Sequence, residues 1–369
     1  LAIIALVLGH GGLRALKGGD TALSTLLVLI GFVLATVLVA EDEHTPGEID
    51  LDQFAWERVR RLGPGLLVAI GTATAVAATG PADTLARFRG DALSALAQLA
   101  NWQFLAQGRT AADAWVATPD SSPVLHLWSF SALAQLLVVL PLLVLVLVET
   151  SIHRRVAVAG WMVALAALSA VAAAVVGNSP GAYFGTWTHA SAFLLGSALA
   201  CVIYDRRVTH ALATHTTIRF WLGLAGPLGL AALVAAWVTV QPSSGWLWRG
   251  GWAGLGAVSG VVLVSALVPG SVLHHVLGVR PLQLVGRFSY GLFLFHWPAM
   301  VVLTEARVGV AGTGLLAVQL AATVVATAAS WWLLETRVLD GRRLLGVPPL
   351  TFSLGLALVV VVGIVAVTA

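Results

Sequence analysis

The chain is a succession of apolar runs cut by short polar or Pro/Gly-rich joints. The runs fall at about 1–10, 21–40, 62–79, 124–148, 156–176, 186–203, 218–239, 248–268, 288–304, 311–334 and 350–369. They are continuous rather than alternating. Most reach or approach the roughly 20 residues a helix needs to cross hydrocarbon. The period-two alternation of a membrane β-barrel is missing. The pattern therefore predicts an all-α fold, a polytopic transmembrane helical bundle of about 10–11 spans. One further stretch, DALSALAQLANWQFLA at 91–106, has a helical pattern but is too short and polar to span. It is expected as a short helix that lies at the external surface or re-enters. No repeat of 20–50 residues is visible, and no pair of broken helices recurs in two halves, which weakens a transporter reading.

Composition agrees. Apolar residues make up 59% of the 369-residue chain and charged residues 10%, and mean hydropathy is +0.92. A soluble fold has too few charges here to cover its outside, so a soluble enzyme, a disordered chain and a nucleic-acid binder are all excluded. The lone cysteine, Cys201, has no partner for an internal disulfide. Tryptophan is abundant (14 residues), and many of these lie near span ends, where an interfacial belt is the ordinary explanation.

Basic residues set orientation. One set of joints carries Arg58, Arg60, Arg61, Arg154, Arg155, Arg206, Arg207, Arg219, Arg280, Arg287, Arg337, Arg342 and Arg343. The opposite set carries Arg14, Lys17, Arg87, Arg89, Arg109, Arg249 and Arg307. The richer set is placed in the cytoplasm, which makes the long joint at about 80–123 external. The chain opens on Leu inside an apolar run, so the first span is expected to lack its N-terminal half.

Ionisable residues at membrane depth are costly and suggest function. His10 ends the first run. His126 opens the fourth, in SSPVLHLWSFS. His296 lies nine residues beyond Arg287, about 13 Å along a helix. Each can act as acid or base near neutrality, or simply join two helices by a hydrogen bond. His10 is read as functional, and His126 and His296 as structural, the latter beside Trp297 and a Pro298 kink. Arg58 and Arg61 share one helical face, where they either grip phosphates or serve as a positive-inside anchor. His274-His275 lacks the companion ligands of a metal site, so no metal is expected. His44 sits in an acidic joint and is expected to be solvated.

Together these strings resemble the acyltransferase 3 family of integral membrane O-acyltransferases, from His10 to about residue 340. GRFSYGLFLFHWP (286–298) is similar to the family's GR-x-SY-x-LYL-x-HWP. His126, Trp128, Ser129 and Gln135 resemble its fourth-span signature. FAWERVRRLGP (54–64) resembles its R-x-x-R followed by Pro, and Gly31-Phe32 the end of its second-span motif. ANWQF (100–104), YFGTWT (183–188) and Glu335 fall where the family has similar features.

The resemblance implies a mechanism. Acyl-CoA, usually acetyl-CoA, approaches from the cytoplasm with its phosphates near Arg58 and Arg61. A cell-envelope glycan hydroxyl approaches from outside. His10 matches the family's general base, and Ser129, Trp128 and Tyr290 are candidates to hold the developing oxyanion. His126, Trp128, Tyr290 and His296 are the expected substrate contacts. The implied partners are membrane lipid, acyl-CoA and glycan, in the inner (plasma) membrane of a bacterium. The expected organisation is an acyltransferase-like region at 1–340, then a linker and extra helix at 341–369. Such a helix precedes an external hydrolase-like domain in some family members.

Departures also stand out. Ser24 and Ile30 replace the family's usual Asp and Ser in the second span. Leu133 and Ala134 replace two Glu, Trp187 and His189 interrupt a polar string, and Arg337 replaces a Pro. Two alternatives to an active acyltransferase therefore stay open. One is a catalytically degenerate scaffold or anchor. The other is a transporter or flippase.

Overall fold

The computed structural model describes residues 1–13, 15–44, 49–78, 82–150, 154–241, 243–340 and 347–368. Arg14, Arg342 and Arg343, used above to orient the chain, lie outside them. The described residues are helical, with no strand among them. Eight helices are long and apolar enough to cross a membrane, as expected of a multi-pass membrane protein. Three expected spans fall short of that measure. The first helix, α1 (Ala2–His10), has nine residues. The third, α3 (Leu51–Ala77), carries Arg58, Arg60 and Arg61 within it. The Ser289–Val302 helix has 14 residues.

The chain divides into two compact units. The first comprises residues 1–49 and 132–286. Here α1 is followed by a tight turn at Gly19–Thr21 and by α2 (Ala22–His44), which extends past its apolar run through Glu41, Asp42 and Glu43. The Thr186–Ile203 helix packs along α2, and Ser197 Oγ donates to the Gly31 carbonyl at 3.3 Å. A hydroxyl pair, Thr25 and Ser259 at 2.8 Å, joins α2 to the Trp252–Leu267 helix. That helix is entered through a kinked turn at Leu247–Gly251, where Gly250 adopts φ +102°. Only glycine takes that conformation without strain.

The second unit comprises residues 50–131 and 287–369. Its α3 begins at Asp50, whose side chain accepts from the Gln53 N–H at 2.8 Å. It runs through Pro64 without a break, eleven residues earlier than the apolar run starts. Pro64 lacks an N–H, so the Arg60 carbonyl loses its helical donor. The C-terminal helix Pro349–Thr368 lies on α3 and buries Val360 and Ile364.

The stretch expected as one helix at 91–106 is two, Ala82–Leu96 and Ala100–Ala106. They are broken at Gln98, which sits at φ +58°. Asp91 ties this region together. It is fully buried and accepts from Arg109 Nη2 at 2.7 Å and Gln107 Nε2 at 3.2 Å, while the Arg109 guanidinium lies over the Phe104 ring.

Candidate active site

In the first unit, α1 carries only apolar residues before His10, so it is held by packing rather than by polar contacts. Its last turn meets the turn after it through two glycines. A Cβ on Gly9 would lie 2.8 Å from the Gly19 Cα, and one on Gly19 would lie 2.4 Å from the Ala5 carbonyl oxygen. This approach, open only to residues without side chains, sets His10 against Asp20. Gly18 N–H donates to the Trp237 carbonyl at 2.8 Å, and Thr21 Oγ1 donates to the Gly18 carbonyl, which fixes the turn.

His10 and Asp20 are both buried. His10 Nε2 lies 3.2 Å from Asp20 Oδ1, and the Tyr183 hydroxyl donates to Asp20 Oδ2 at 2.7 Å. Tyr183 is supplied by a single helical turn, Pro180–Phe184, with Ser179 as its cap. One carboxylate thus receives one donor on each oxygen, which satisfies a charge that would otherwise be costly to bury. An ionised carboxylate only accepts, so, facing one, His10 donates through Nε2.

His189, one of the departures from the family pattern, is buried and donates through Nε2 to the Tyr183 carbonyl at 2.7 Å. It holds Tyr183 from the backbone side. Trp187 is partly exposed, and its carbonyl accepts from Ser169 Oγ. Ser24 is buried one helical turn beyond Asp20, while Ile30, Leu133 and Ala134 are half-buried. Gln135 accepts from Thr186 Oγ1 at 2.5 Å.

An aromatic group completes the surroundings. The Trp248 ring lies 6.3 Å from Tyr183, Trp252 lies 5.4 Å from His189, and the two indoles are 5.9 Å apart. Trp128, Trp237, Trp248, Trp252 and Trp297 are all buried. The interfacial belt therefore accounts for only part of the tryptophans. These five pack inside the protein because ring stacking and helix packing bury more of their area than an interface would.

The second unit gathers the other residues singled out by sequence. His126 Nε2 donates to the Leu294 carbonyl at 3.2 Å, and His296 Nδ1 donates to the Phe293 carbonyl at 2.7 Å. Their rings meet edge to face at 5.3 Å, and Trp297 Nε1 donates to the Ser122 carbonyl at 3.0 Å. Helix-to-helix hydrogen bonding, the structural reading, is thus seen for His126, whereas His296 bonds within its own helix.

Ser129 donates back to the His126 carbonyl at 3.0 Å, and Tyr290 donates to the Leu62 carbonyl at 2.5 Å. Both hydroxyl hydrogens are committed to backbone. Glu335 is buried, accepts from Ser330 Oγ at 2.8 Å and approaches Gly65 beside Tyr290. Arg58 is half-buried over the Phe54 ring and reaches the Phe54 carbonyl and Glu57, whereas Arg61 is exposed. No group of three or more metal-binding side chains occurs among the described residues.

Asp20 and Tyr183 were not among the candidates read from sequence. Asp20 carried a signal all the same: a carboxylate between Gly18-Gly19 and an apolar run, one helical turn before Ser24.

Comparison with known proteins points the same way. The peptidoglycan O-acetyltransferase OatA of Listeria monocytogenes is 27% identical over 344 residues, covering 92% of this chain and 54% of that protein. The O-acetyltransferase OatA of Staphylococcus aureus (strain NCTC 8325 / PS 47) is 24% identical over 306 residues, covering 82% and 50%. A putative O-acetyltransferase of Staphylococcus aureus (strain COL) is 23% identical, covering 80% and 48%. The chain thus spans about half the length of these curated relatives. No solved structure matches. The family model of acyltransferase 3, described as an acyltransferase domain, matches residues 1–335, and over nearly its whole length the chain belongs to that family.

Proposed function

We propose that this protein is an O-acyltransferase of the bacterial inner membrane. It moves an acyl group, acetyl in the simplest case, from acyl-CoA to a hydroxyl of a cell-envelope glycan. Peptidoglycan is the acceptor that the name of the Listeria relative suggests. The observation that carries the reading is the buried His10–Asp20–Tyr183 chain. A sugar hydroxyl is a weak nucleophile, and a positioned imidazole removes its proton as it attacks.

In the proposed step the acceptor oxygen attacks the thioester carbonyl carbon, and its proton passes to His10 Nδ1. The carbonyl π electrons move to oxygen. Collapse of this intermediate breaks the C–S bond, and the proton on His10 goes to the departing sulfur. Asp20 stabilises the imidazolium that forms, and Tyr183 holds Asp20. Arg58 and Arg61 are assigned to the donor's phosphates, where guanidinium offers paired donors. His126, Trp128, Ser129, Tyr290 and His296 are assigned to shaping the substrate region rather than to proton transfer.

The scaffold reading rests on Leu133 and Ala134 in place of carboxylates. Asp20 weakens it, because a buried acid paired to His10 is an expensive thing to keep without use. The test is thiol release and acetyl transfer by the full chain in lipid nanodiscs supplied with acetyl-CoA and glycan. His10→Ala is expected to lower the rate at least about a hundredfold. Arg58→Ala and Arg61→Ala are each expected to raise the KM for acetyl-CoA about tenfold or more, with kcat changed little. His10→Ala at wild-type rate would remove His10 from the mechanism, and no saturable acetyl-CoA binding by the wild type would leave the scaffold.

A further inference from the structure

The buried polar groups of the first unit leave an unbalanced account. Trp248 and Trp252 are 1% and 3% exposed, and neither indole Nε1 has an acceptor among the described residues. Trp237 Nε1 is in the same position, on a residue whose carbonyl holds Gly18. A buried donor left unpaired costs about 1–3 kcal/mol, and most buried polar groups in proteins are paired. Such donors cluster where a ligand supplies the acceptor.

The backbone around them is unusual as well. Trp248 lies within the kinked turn and Trp252 at the first position of the helix that follows. The turn contains Arg249 at φ −92°, ψ +33° and Gly250 at φ +102°, both outside helical geometry. Non-helical backbone at the end of a spanning helix is tolerated where it is packed inside protein or lines a cavity. The ring contacts described above link both indoles to Tyr183 and His189, one residue from the carboxylate that orients His10.

We propose that the indole N–H groups of Trp248 and Trp252 hold the thioester carbonyl oxygen of the acyl donor. They then stabilise the oxyanion formed when the acceptor attacks. The inference rests on the acyl-transfer reading above. An indole N–H is a donor only, so it suits an oxygen that gains negative charge and releases it again when the C–S bond breaks. Two of the three sequence candidates for this task, Ser129 and Tyr290, give their hydrogens to backbone carbonyls. In a site shut off from water, a fixed donor contributes far more than in solution, commonly 10²–10³ in kcat.

The experiment replaces each indole by a smaller aromatic ring without the N–H. Trp248→Phe and Trp252→Phe are expected to lower kcat about a hundredfold each, with little change in KM. The exposed Trp246→Phe serves as control and is expected at wild-type rate. Thermal stability of both buried variants is expected to fall somewhat, because the smaller ring leaves a cavity. A merely structural role predicts that loss of stability at unchanged kcat, and that result would overturn the proposal. So would a rise in acceptor KM alone.

A second readout needs no turnover. In protein labelled with 5-fluorotryptophan, the two resonances, assigned by their loss in the Phe variants, are expected to shift on adding a non-cleavable acetyl-CoA analogue. Unmoved resonances overturn the proposal even if the wild type is active. Shifted resonances in a wild type that transfers nothing retain the carbonyl site and reject the acyl-transfer reading.

Discussion

Asp20→Asn is the most informative single change, because it alters charge and hydrogen count at nearly constant volume. In the wild type the carboxylate accepts from His10 at 3.2 Å and from Tyr183 at 2.7 Å. An asparagine offers one acceptor oxygen and one NH₂. With the amide oxygen still accepting from the Tyr183 hydroxyl, the NH₂ faces His10. Imidazole must then accept at Nε2 and carry its hydrogen on Nδ1, the nitrogen assigned to take the acceptor's proton. The base is present but in the wrong tautomer, and the charge that stabilised its protonated form is gone. A comparable loss in serine proteases lowers kcat about 10⁴-fold. Here, with a thioester as the easier substrate, 10²–10⁴ is expected.

The cost to folding is smaller. Two charge-assisted hydrogen bonds become one ordinary bond and one rearranged bond, about 1–3 kcal/mol. The assay pairs initial rates of thiol release from acetyl-CoA with thermal unfolding in the same nanodiscs. A well-folded Asp20→Asn protein within threefold of wild-type kcat would refute the tautomer argument. Tyr183→Phe separates orientation from charge. It keeps the His10–Asp20 pair and removes one donor, so a loss of about tenfold is expected, smaller than for the Asn variant.

Other expectations follow from packing. Gly9→Ala is expected to abolish activity while the protein still inserts, because its methyl meets Gly19 backbone at 2.8 Å and parts His10 from Asp20. Gly254→Ala, with nothing within 4 Å of the added methyl, is its control and is expected to be silent in the same rate assay. Asp91→Ala is expected to destabilise the second unit by about 3–5 kcal/mol, as when one partner of a buried ion pair is removed. Faster proteolysis between residues 82 and 115 is the measurement that checks it.

The helical bundle was legible because lipid imposes a single rule on spanning segments, and apolar runs obey it. His10 was legible because an ionisable side chain at the end of such a run is conspicuous. Asp20 and Tyr183 were harder to see, since their meaning is a contact and the residues joined are 163 positions apart. Motif comparison even obscured Asp20, by drawing the eye to Ser24. The break at Gln98 escaped because no Gly or Pro announces it, and the start of α3 because its first turns are polar and held by a cap. Trp248 and Trp252 looked like interface residues, and only the kink at Gly250 and the ring contacts show them to be interior.

The span of that same contact bears on how the protein is made. His10 and Asp20 are ten residues apart and leave the ribosome almost together. Tyr183 emerges some 163 residues later, which at about 5–20 residues per second is on the order of 10–30 s. Through that interval Asp20 has His10 beside it but not the Tyr183 hydroxyl, so the second of its two oxygens gains its donor only late in synthesis.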